Sequence, residues 1–449
     1  MENRVGEQRF AIMTLGCKVN QEESAAIGNV FVEHGWRQVP FGQAAEVTII
    51  NTCTVTQIAE KKSRNMLRRA VAANPDTFVA ATGCYVQMKP TEAAGIEGVD
   101  LLLGANEKHR LFALAAEGAA AKMRGGFAPL VQVEDAQLAK IYREIGNINS
   151  RTERTRAFVK IEDGCNQYCS YCIVPHVRGP VRSRPEDAVL AEIAALVADG
   201  YREVVLTGIH TGAYGTDFGE QDAFARLVGK AAQVPGLDRL RMGSVEPHEV
   251  SDRLLALAVE NPVICPHFHV PLQAADDRIL ALMGRSYDME FYAGLLGKIR
   301  TALPDAAVTT DIIAGFPGET EEIFADSLAM IKRLAFADAH VFPYSRRPGT
   351  PAADFAEQVP NAIKNRRSAM ITAAVVESRT AFRQARLGQK LTVLAEREVD
   401  KDGLRGMQGY TADYLPVFIN GLTGAAGQMV TAVAENLSAE GELMAKPAE

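Results

Sequence analysis

At 449 residues the chain is long enough for two to four domains, each burying a core of its own. With 47% hydrophobic and 23% charged residues it is neither disordered nor fibrous, and no run approaches about 18 apolar residues, so neither a signal peptide nor a membrane span is expected. The net charge of −7 excludes binding nucleic acid over the whole surface, and seven cysteines, an odd and clustered set, argue against a disulfide framework and for a reducing, cytoplasmic setting.

Residues 8–120 read as alternating strands and helices. RFAIMTLGC, AEVTIINTC and DTFVAATGC are apolar, β-branched-rich runs. Helical patterns follow, as in QEESAAIGNVFVEHG and VTQIAEKKSRNMLRRAVAAN, and GVDLLLGANEKHRLFALAAEG repeats the unit. Such alternation predicts a parallel α/β sheet. Cys17, Cys53 and Cys84 each close one of the first three strand runs. All C-terminal strand ends of a parallel sheet lie along one edge, so these thiols are expected to converge there on a metal with an open position. A helix starting near Thr56 would point its N-terminus at that edge and favour thiolate.

Residues 121–150 lose periodicity and read as a linker. From 151 to 382 the βα alternation resumes, with strand candidates RAFVKIEDGC, REVVLTGIH, LDRLRMGSVEP, CPHFHVPLQ, AVTTDIIAGFPGE and DAHVFPYSRRPGT. Six βα units predict a full or partial barrel with its site at the C-terminal strand ends. After the first of these strands come Cys165, Cys169 and Cys172, spaced C-x-x-x-C-x-x-C. Three thiolates in one loop can hold three corners of an iron–sulfur cluster and leave one iron for a small molecule. A Cys3His zinc site with His176 is the alternative. His267 and His269 share a strand face, where metal binding or packing is open, and Cys265 reads as structural. Residues 386–447 turn to short alternating runs broken by Gly and Asp, the pattern of a small antiparallel β-barrel.

The C-x-x-x-C-x-x-C loop, with Tyr171 before its last cysteine, resembles the cluster loop of radical S-adenosylmethionine (SAM) enzymes. Together with TLGC, NTC and TGC it resembles the methylthiotransferase family along essentially the whole chain. That resemblance implies an N-terminal domain with an auxiliary [4Fe–4S] cluster on Cys17, Cys53 and Cys84. It implies a partial-barrel radical SAM core whose [4Fe–4S] cluster sits on Cys165, Cys169 and Cys172, and a C-terminal TRAM-like domain that binds RNA. SAM would be used twice, to methylate sulfur and to generate a radical that opens an unactivated C–H bond. Gly208, Glu246, Gln273 and Asp311 are the implied SAM contacts. TLGCKVNQEES resembles the branch acting on threonylcarbamoyladenosine of tRNA, although Glu22 stands where that branch commonly has an aromatic residue.

Three basic stretches support an RNA partner despite the acidic total: KKSRNMLRR at 61–69, HVRGPVRSR at 176–184, and residues 364–390. Arg178, Arg182 and Arg184 are the expected RNA contacts beside the cluster loop. The expected protein is thus a monomeric tRNA methylthiotransferase served by an electron donor. Its rivals are the same chemistry on isopentenyladenosine or a ribosomal-protein side chain, and a non-catalytic iron–sulfur protein that binds RNA or carries electrons.

Overall fold

A computed structural model describes residues 8–146, 155–401 and 403–448, which divide into two compact units. The first takes in the N-terminal segment through residue 146, then 160–185 and 345–350; the second takes in 155–159, 186–344 and 351–448.

The first unit is built on a six-stranded sheet. Its strands are β1 (Arg9–Thr14), β2 (Arg37–Gln38), β3 (Val47–Thr52), β4 (Phe78–Gly83), β5 (Leu101–Leu103) and β6 (Leu130–Gln132), in the order β2-β1-β3-β4-β5-β6. Every pairing is parallel, with Ile12 beside Ile49 and Ile49 beside Ala80. β3 and β4 are buried at every position, as continuous apolar runs require when helices cover both faces of a sheet. Helix α1 (Lys18–Glu33) and the helix Leu111–Met123 supply Ile27, Phe31, Leu111 and Ala115 to one core with Phe10, Trp36 and Phe78. On the other face, Leu67 and Ala70 of α2 (Gln57–Ala73) and Tyr85 and Val86 of α3 (Cys84–Met88) meet Ile50, Val79 and Leu102. The Thr56 hydroxyl caps α2 by accepting from Ala59 N at 3.1 Å.

The stretch expected as a linker at 121–150 differs from that reading. Its described part carries the end of the helix Leu111–Met123 and then β6, which pairs with β5. A three-residue strand between Pro129 and Val133 is too short to show a period of two. Residues 147–150 of that stretch, and 151–154 of the core that follows it, lie outside the described residues.

In the second unit all six strand candidates are strands. β7 (Arg156–Lys160), Glu203–Thr207 and Arg239–Met242 form one sheet in which the last two pair in parallel, and His267–His269, Ala307–Ala314 and Asp338–Pro343 form a parallel ladder. Parallel bridges from Leu240 to Ile264 and Ser244 to His269 continue the arc from one ladder to the other. Among the described residues no ladder joins Asp338–Pro343 back to β7, so the barrel is partial. The strands Lys390–Lys401, Leu404–Thr411, Pro416–Asn420, Met429–Leu437 and Leu443–Pro447 close a small barrel around Val393, Val417, Ile419, Ala432 and Leu443. This barrel is seated on the arc by polar anchors. Arg239 donates to Tyr410 O at 2.9 Å and Thr392 O at 2.6 Å, and Arg241 to Ala412 O at 2.8 Å. Buried Glu203 balances both guanidinium groups. Arg156 lies over the Tyr410 and Tyr414 rings at 4.7 and 5.2 Å. No helix among the described residues is long and apolar enough to cross a membrane.

Candidate functional site

Cys17 caps α1 just beyond β1, Cys53 follows β3 directly, and Cys84 opens α3 at the end of β4. These strands are neighbours in the sheet, so the three thiols share one edge as the spacing predicts. Two glycines permit the approach. Gly16 has φ +104°, and a Cβ there would stand 3.0 Å from Cys53 Sγ; Gly83 has φ +95°, and its Cβ would stand 2.5 Å from Thr52 O. Asn20 ties the loops together, donating from Nδ2 to Leu15 O at 2.8 Å and Thr52 O at 3.0 Å. Ser63 of α2 clamps Cys53, accepting from its N at 3.0 Å and donating to its O at 2.8 Å.

Cys53 and Cys84 are buried and Cys17 is exposed. Burial, then the neighbouring Cys84, pushes the Cys53 thiol up to about 11. This corrects the expectation that the α2 N-terminus favours thiolate, because desolvation outweighs the helix dipole at this depth. A metal bound there would displace the thiol proton.

The second triad occupies the loop after the short strand Glu162–Asp163, which pairs with Arg182–Ser183. Cys165 N donates to Gly179 O at 3.0 Å and Cys172 N to Cys169 O at 2.9 Å, closing the loop. Tyr168 holds a left-handed φ of 46°, and its hydroxyl donates to Gln137 Oε1 at 2.8 Å. The ring of His176, the candidate zinc ligand, meets Tyr168 edge-on at 5.6 Å.

Both triads belong to the first unit, and a buried ion network joins their supports. Arg178 is 0% exposed. Its Nη1 reaches Glu23 Oε1 at 2.5 Å and Asp163 Oδ2 at 3.2 Å, and its Nη2 donates to Asn20 Oδ1 at 2.6 Å. Lys160 pairs with Glu23 at 2.8 Å and Asp163 at 2.7 Å, and Lys108 pairs with Glu23. Desolvation works against ionisation of Glu23 and Asp163, yet the surrounding cations hold both carboxyls well below the usual range. Arg178, Lys160, Lys108 and Arg182 thus converge on Glu23 and Asp163. Cys84 packs against Ile173 and Val177, just past Cys172. Two sets of three thiols, each at the end of a supported loop or strand, fit iron–sulfur chemistry.

Arg178, Arg182 and Arg184 require a correction. They are 0%, 2% and 3% exposed, so they do not form a phosphate-facing surface. Arg182 donates to Arg178 O at 2.9 Å, Pro180 O at 2.7 Å and Asn106 Oδ1 at 2.9 Å, and Arg184 Nε pairs with Glu144 at 2.5 Å. The positions that sequence reasoning missed are Glu23, Lys108, Lys160 and Asp163. Lys160 and Asp163 did leave a signal, as charges interrupting the apolar run FVKIEDGC.

Glu60 of α2 anchors the segment 345–350 on the same unit. It accepts from Thr54 Oγ1 at 3.1 Å, and from Arg64, Lys89 and Arg347 at 2.8 Å each. Burial raises its pKa, but hydrogen bonds from Lys89, Arg347 and Arg64 outweigh that and hold it at about 2. The folded value lies below the unfolded value of about 4.3, so the carboxylate stabilises the fold above that pH and the contribution is lost as pH falls towards about 2. Glu60→Gln should therefore lower the thermal midpoint at neutral pH, with a deficit that shrinks on acidification below about 4.3. A deficit of constant size across an acid titration would refute this role.

In the second unit, Gly208 follows the strand Glu203–Thr207, and Glu246 caps the turn Pro247–Glu249 while pairing with buried Arg285. Gln273, with a left-handed φ of 64°, donates through its N to Asp311 O at 2.8 Å. Gln273 and Asp311 are therefore brought together, whereas Gly208 and Glu246 end two earlier strands of the arc. Asp311 is mid-strand rather than at a strand end, its carboxylate between His269 Nε2 at 3.3 Å and His340 Nδ1 at 3.1 Å. Cys265 is buried, and desolvation pushes its thiol up to about 11, in keeping with a structural role.

Residues 9–104 match the uncharacterized protein family UPF0004, and residues 159–331 match the radical SAM superfamily. The chain is 39% identical to the threonylcarbamoyladenosine tRNA methylthiotransferase of Bacillus subtilis (strain 168), over 94% of this chain and 92% of that protein. It is 36% identical to the tRNA-2-methylthio-N(6)-dimethylallyladenosine synthase of Acidothermus cellulolyticus, over 94% of this chain and 84% of that one. Among solved structures, the fold is similar to the radical S-adenosylmethionine methyltransferase TsrM of Kitasatospora setae, with a TM-score of 0.57 and 15% identity over 77% of each chain.

Proposed function

The chain belongs to the methylthiotransferase family of radical SAM enzymes that act on tRNA, and from that membership we propose that it places a methylthio group on carbon 2 of threonylcarbamoyladenosine, 3′-adjacent to the anticodon. A radical SAM domain implies a [4Fe–4S] cluster and SAM. Cys165, Cys169 and Cys172 would hold that cluster. Cys17, Cys53 and Cys84 hold a second. Cluster and SAM, when bound, would supply radical chemistry, which a C–H bond without an acidic proton requires.

The observation that carries this reading is the presence of both thiol triads in one compact unit, with Cys84 packed against residues just past Cys172. Radical generation and sulfur delivery must serve one carbon atom, and a shared rigid support meets that demand. Arg178 and Asn20 act as positioning residues, fixing the two cysteine loops to each other. In the second unit Gly208, Glu246, Gln273 and Asp311 are the SAM contacts of this reading. The small C-terminal barrel binds tRNA, and helix α2 offers a second basic surface. Lys61, Lys62, Arg68 and Arg69 of that helix are exposed, unlike Arg178, Arg182 and Arg184.

Relatives named for dimethylallyladenosine also align along most of this chain, which keeps that nucleoside as the second reading. Nucleoside mass spectrometry of tRNA from a deletion strain separates the two. The 2-methylthio derivative of threonylcarbamoyladenosine should vanish, its unthiolated parent should accumulate, and methylthiolated isopentenyladenosine should persist. The reverse pattern would assign the enzyme to the dimethylallyl substrate.

A further inference from the structure

The partial barrel carries a cluster of metal-ligating side chains, one of which, Asp311, is also assigned above to SAM. In the parallel register, His269 lies beside Thr309 and Asp311 beside His340, so one pleated face presents His269, Thr309, Asp311 and His340 together. The opposite face, with Val308, Thr310, Ile312 and Ala314, is buried. His269 Nε2, an Asp311 oxygen and His340 Nδ1 all lie within 4.8 Å of one another, at 3.3 and 3.1 Å on either side of the carboxylate. Metal–ligand bonds of about 2.0–2.2 Å to nitrogen and carboxylate oxygen set neighbouring ligand atoms at about 3 Å, so little movement is needed to close on an ion.

The ring of His269 is also oriented for that task. Its Nδ1 is engaged by Thr309 Oγ1 at 3.0 Å, which turns Nε2 towards Asp311. The same hydroxyl meets His267 Nε2 at 3.0 Å, and the His267 ring stacks against Tyr414 at 5.0 Å. Metal-bound imidazoles are characteristically held through their second nitrogen in this way. Exposure rises across the trio, from 13% for His269 through 27% for Asp311 to 71% for His340. An ion held there would keep open positions on the exposed side. Two imidazoles and one carboxylate select a divalent first-row ion of the zinc or ferrous class over magnesium or calcium, which favour all-oxygen sites.

We propose that His269, Asp311 and His340 form a divalent transition-metal site separate from both cysteine triads, with Thr309 as its positioning residue. This goes beyond the tRNA reading and does not depend on it. The test uses the full chain, purified without oxygen with its clusters loaded, so that the six cysteines are occupied by iron. After a chelator wash, the protein is dialysed against zinc, and zinc and iron are counted in the same sample by mass spectrometry.

The expected result is about one zinc per chain. His340→Gln and His269→Gln should each weaken zinc binding by more than about tenfold, and Thr309→Val by about tenfold, with iron content unchanged. His340 is 71% exposed, so its glutamine variant gives up little packing beyond the ring approaches to His269 and Phe342 at 5.7 and 6.2 Å. SAM affinity measured alongside separates loss of the ion from loss of the SAM contact assigned to Asp311. No stoichiometric zinc in the wild type would overturn the site. So would zinc that His340→Gln and His269→Gln leave unchanged, because such metal sits on thiols vacated by iron. A hydrogen-bonded His–Asp–His chain without an ion would be the remaining description.

Discussion

Alanine in place of Cys165, Cys169 and Cys172 should abolish 5′-deoxyadenosine formation and halve the iron content, from about eight atoms per chain to about four. Alanine in place of Cys17, Cys53 and Cys84 should remove the other half of the iron and leave 5′-deoxyadenosine measurable, while methylthio product falls to background. The contrast follows from position. The first triad sits in the loop closed by Cys165 N and Gly179 O, and the second on the ends of β1, β3 and β4, each with separate backbone support. Iron analysis and mass spectrometry of both products on the same preparations decide it. Retention of methylthio product by the Cys17, Cys53 and Cys84 variant would reduce those residues to small buried hydrophobes. Unchanged iron in the Cys165, Cys169 and Cys172 variant would remove the SAM cluster from that loop.

Arg178→Met should destabilise the first unit by about 3–5 kcal/mol, because it leaves Glu23 and Asp163 short of a buried counter-charge. Arg178→Lys should recover only part of that, since one ammonium cannot reproduce the fork that reaches Glu23, Asp163 and Asn20 at once. Arg184→Ala provides the control. Its partner Glu144 is 44% exposed, so water can solvate the remaining carboxylate, and the cost, mainly the lost packing of a side chain 4% exposed, is expected to be smaller than at Arg178. Anaerobic denaturant titrations with the clusters loaded compare the three. A cost below about 1 kcal/mol for Arg178→Met would show that the network is relaxed by water and does not hold the cysteine loops.

The parts of this molecule legible in the sequence are those written in local patterns. Apolar β-branched runs marked β1, β3 and β4 and all six strands of the partial barrel, because the run itself, continuous in β3 and β4 and alternating in Ala307–Ala314, is a local pattern. The cysteines of the N-terminal sheet were legible because three equivalent strand ends carry the same residue. What depends on distant partners was not. Basic residues at 178, 182 and 184 look the same whether phosphate or Glu23, 155 residues away in sequence from Arg178, balances their charge. The His269–Asp311–His340 trio shows in sequence only as H-F-H, since its other members join through the parallel register of two later strands. β6 was lost because its three residues carry too little pattern to register.

The composition of the first unit bears on how such enzymes can be recombined. Glu23 of α1 is neutralised by Lys160 and Arg178, and Glu60 of α2 by Arg347, so the N-terminal sheet region completes its electrostatics with residues from well outside 8–120. A chimera that exchanged only residues 8–120 between relatives would meet foreign partners at both carboxylates. Viable exchange requires the donor's 160–185 and 345–350 to travel with it. Substitutions in these separated stretches are therefore expected to be inherited as a set, so the natural unit of exchange is discontinuous in the gene.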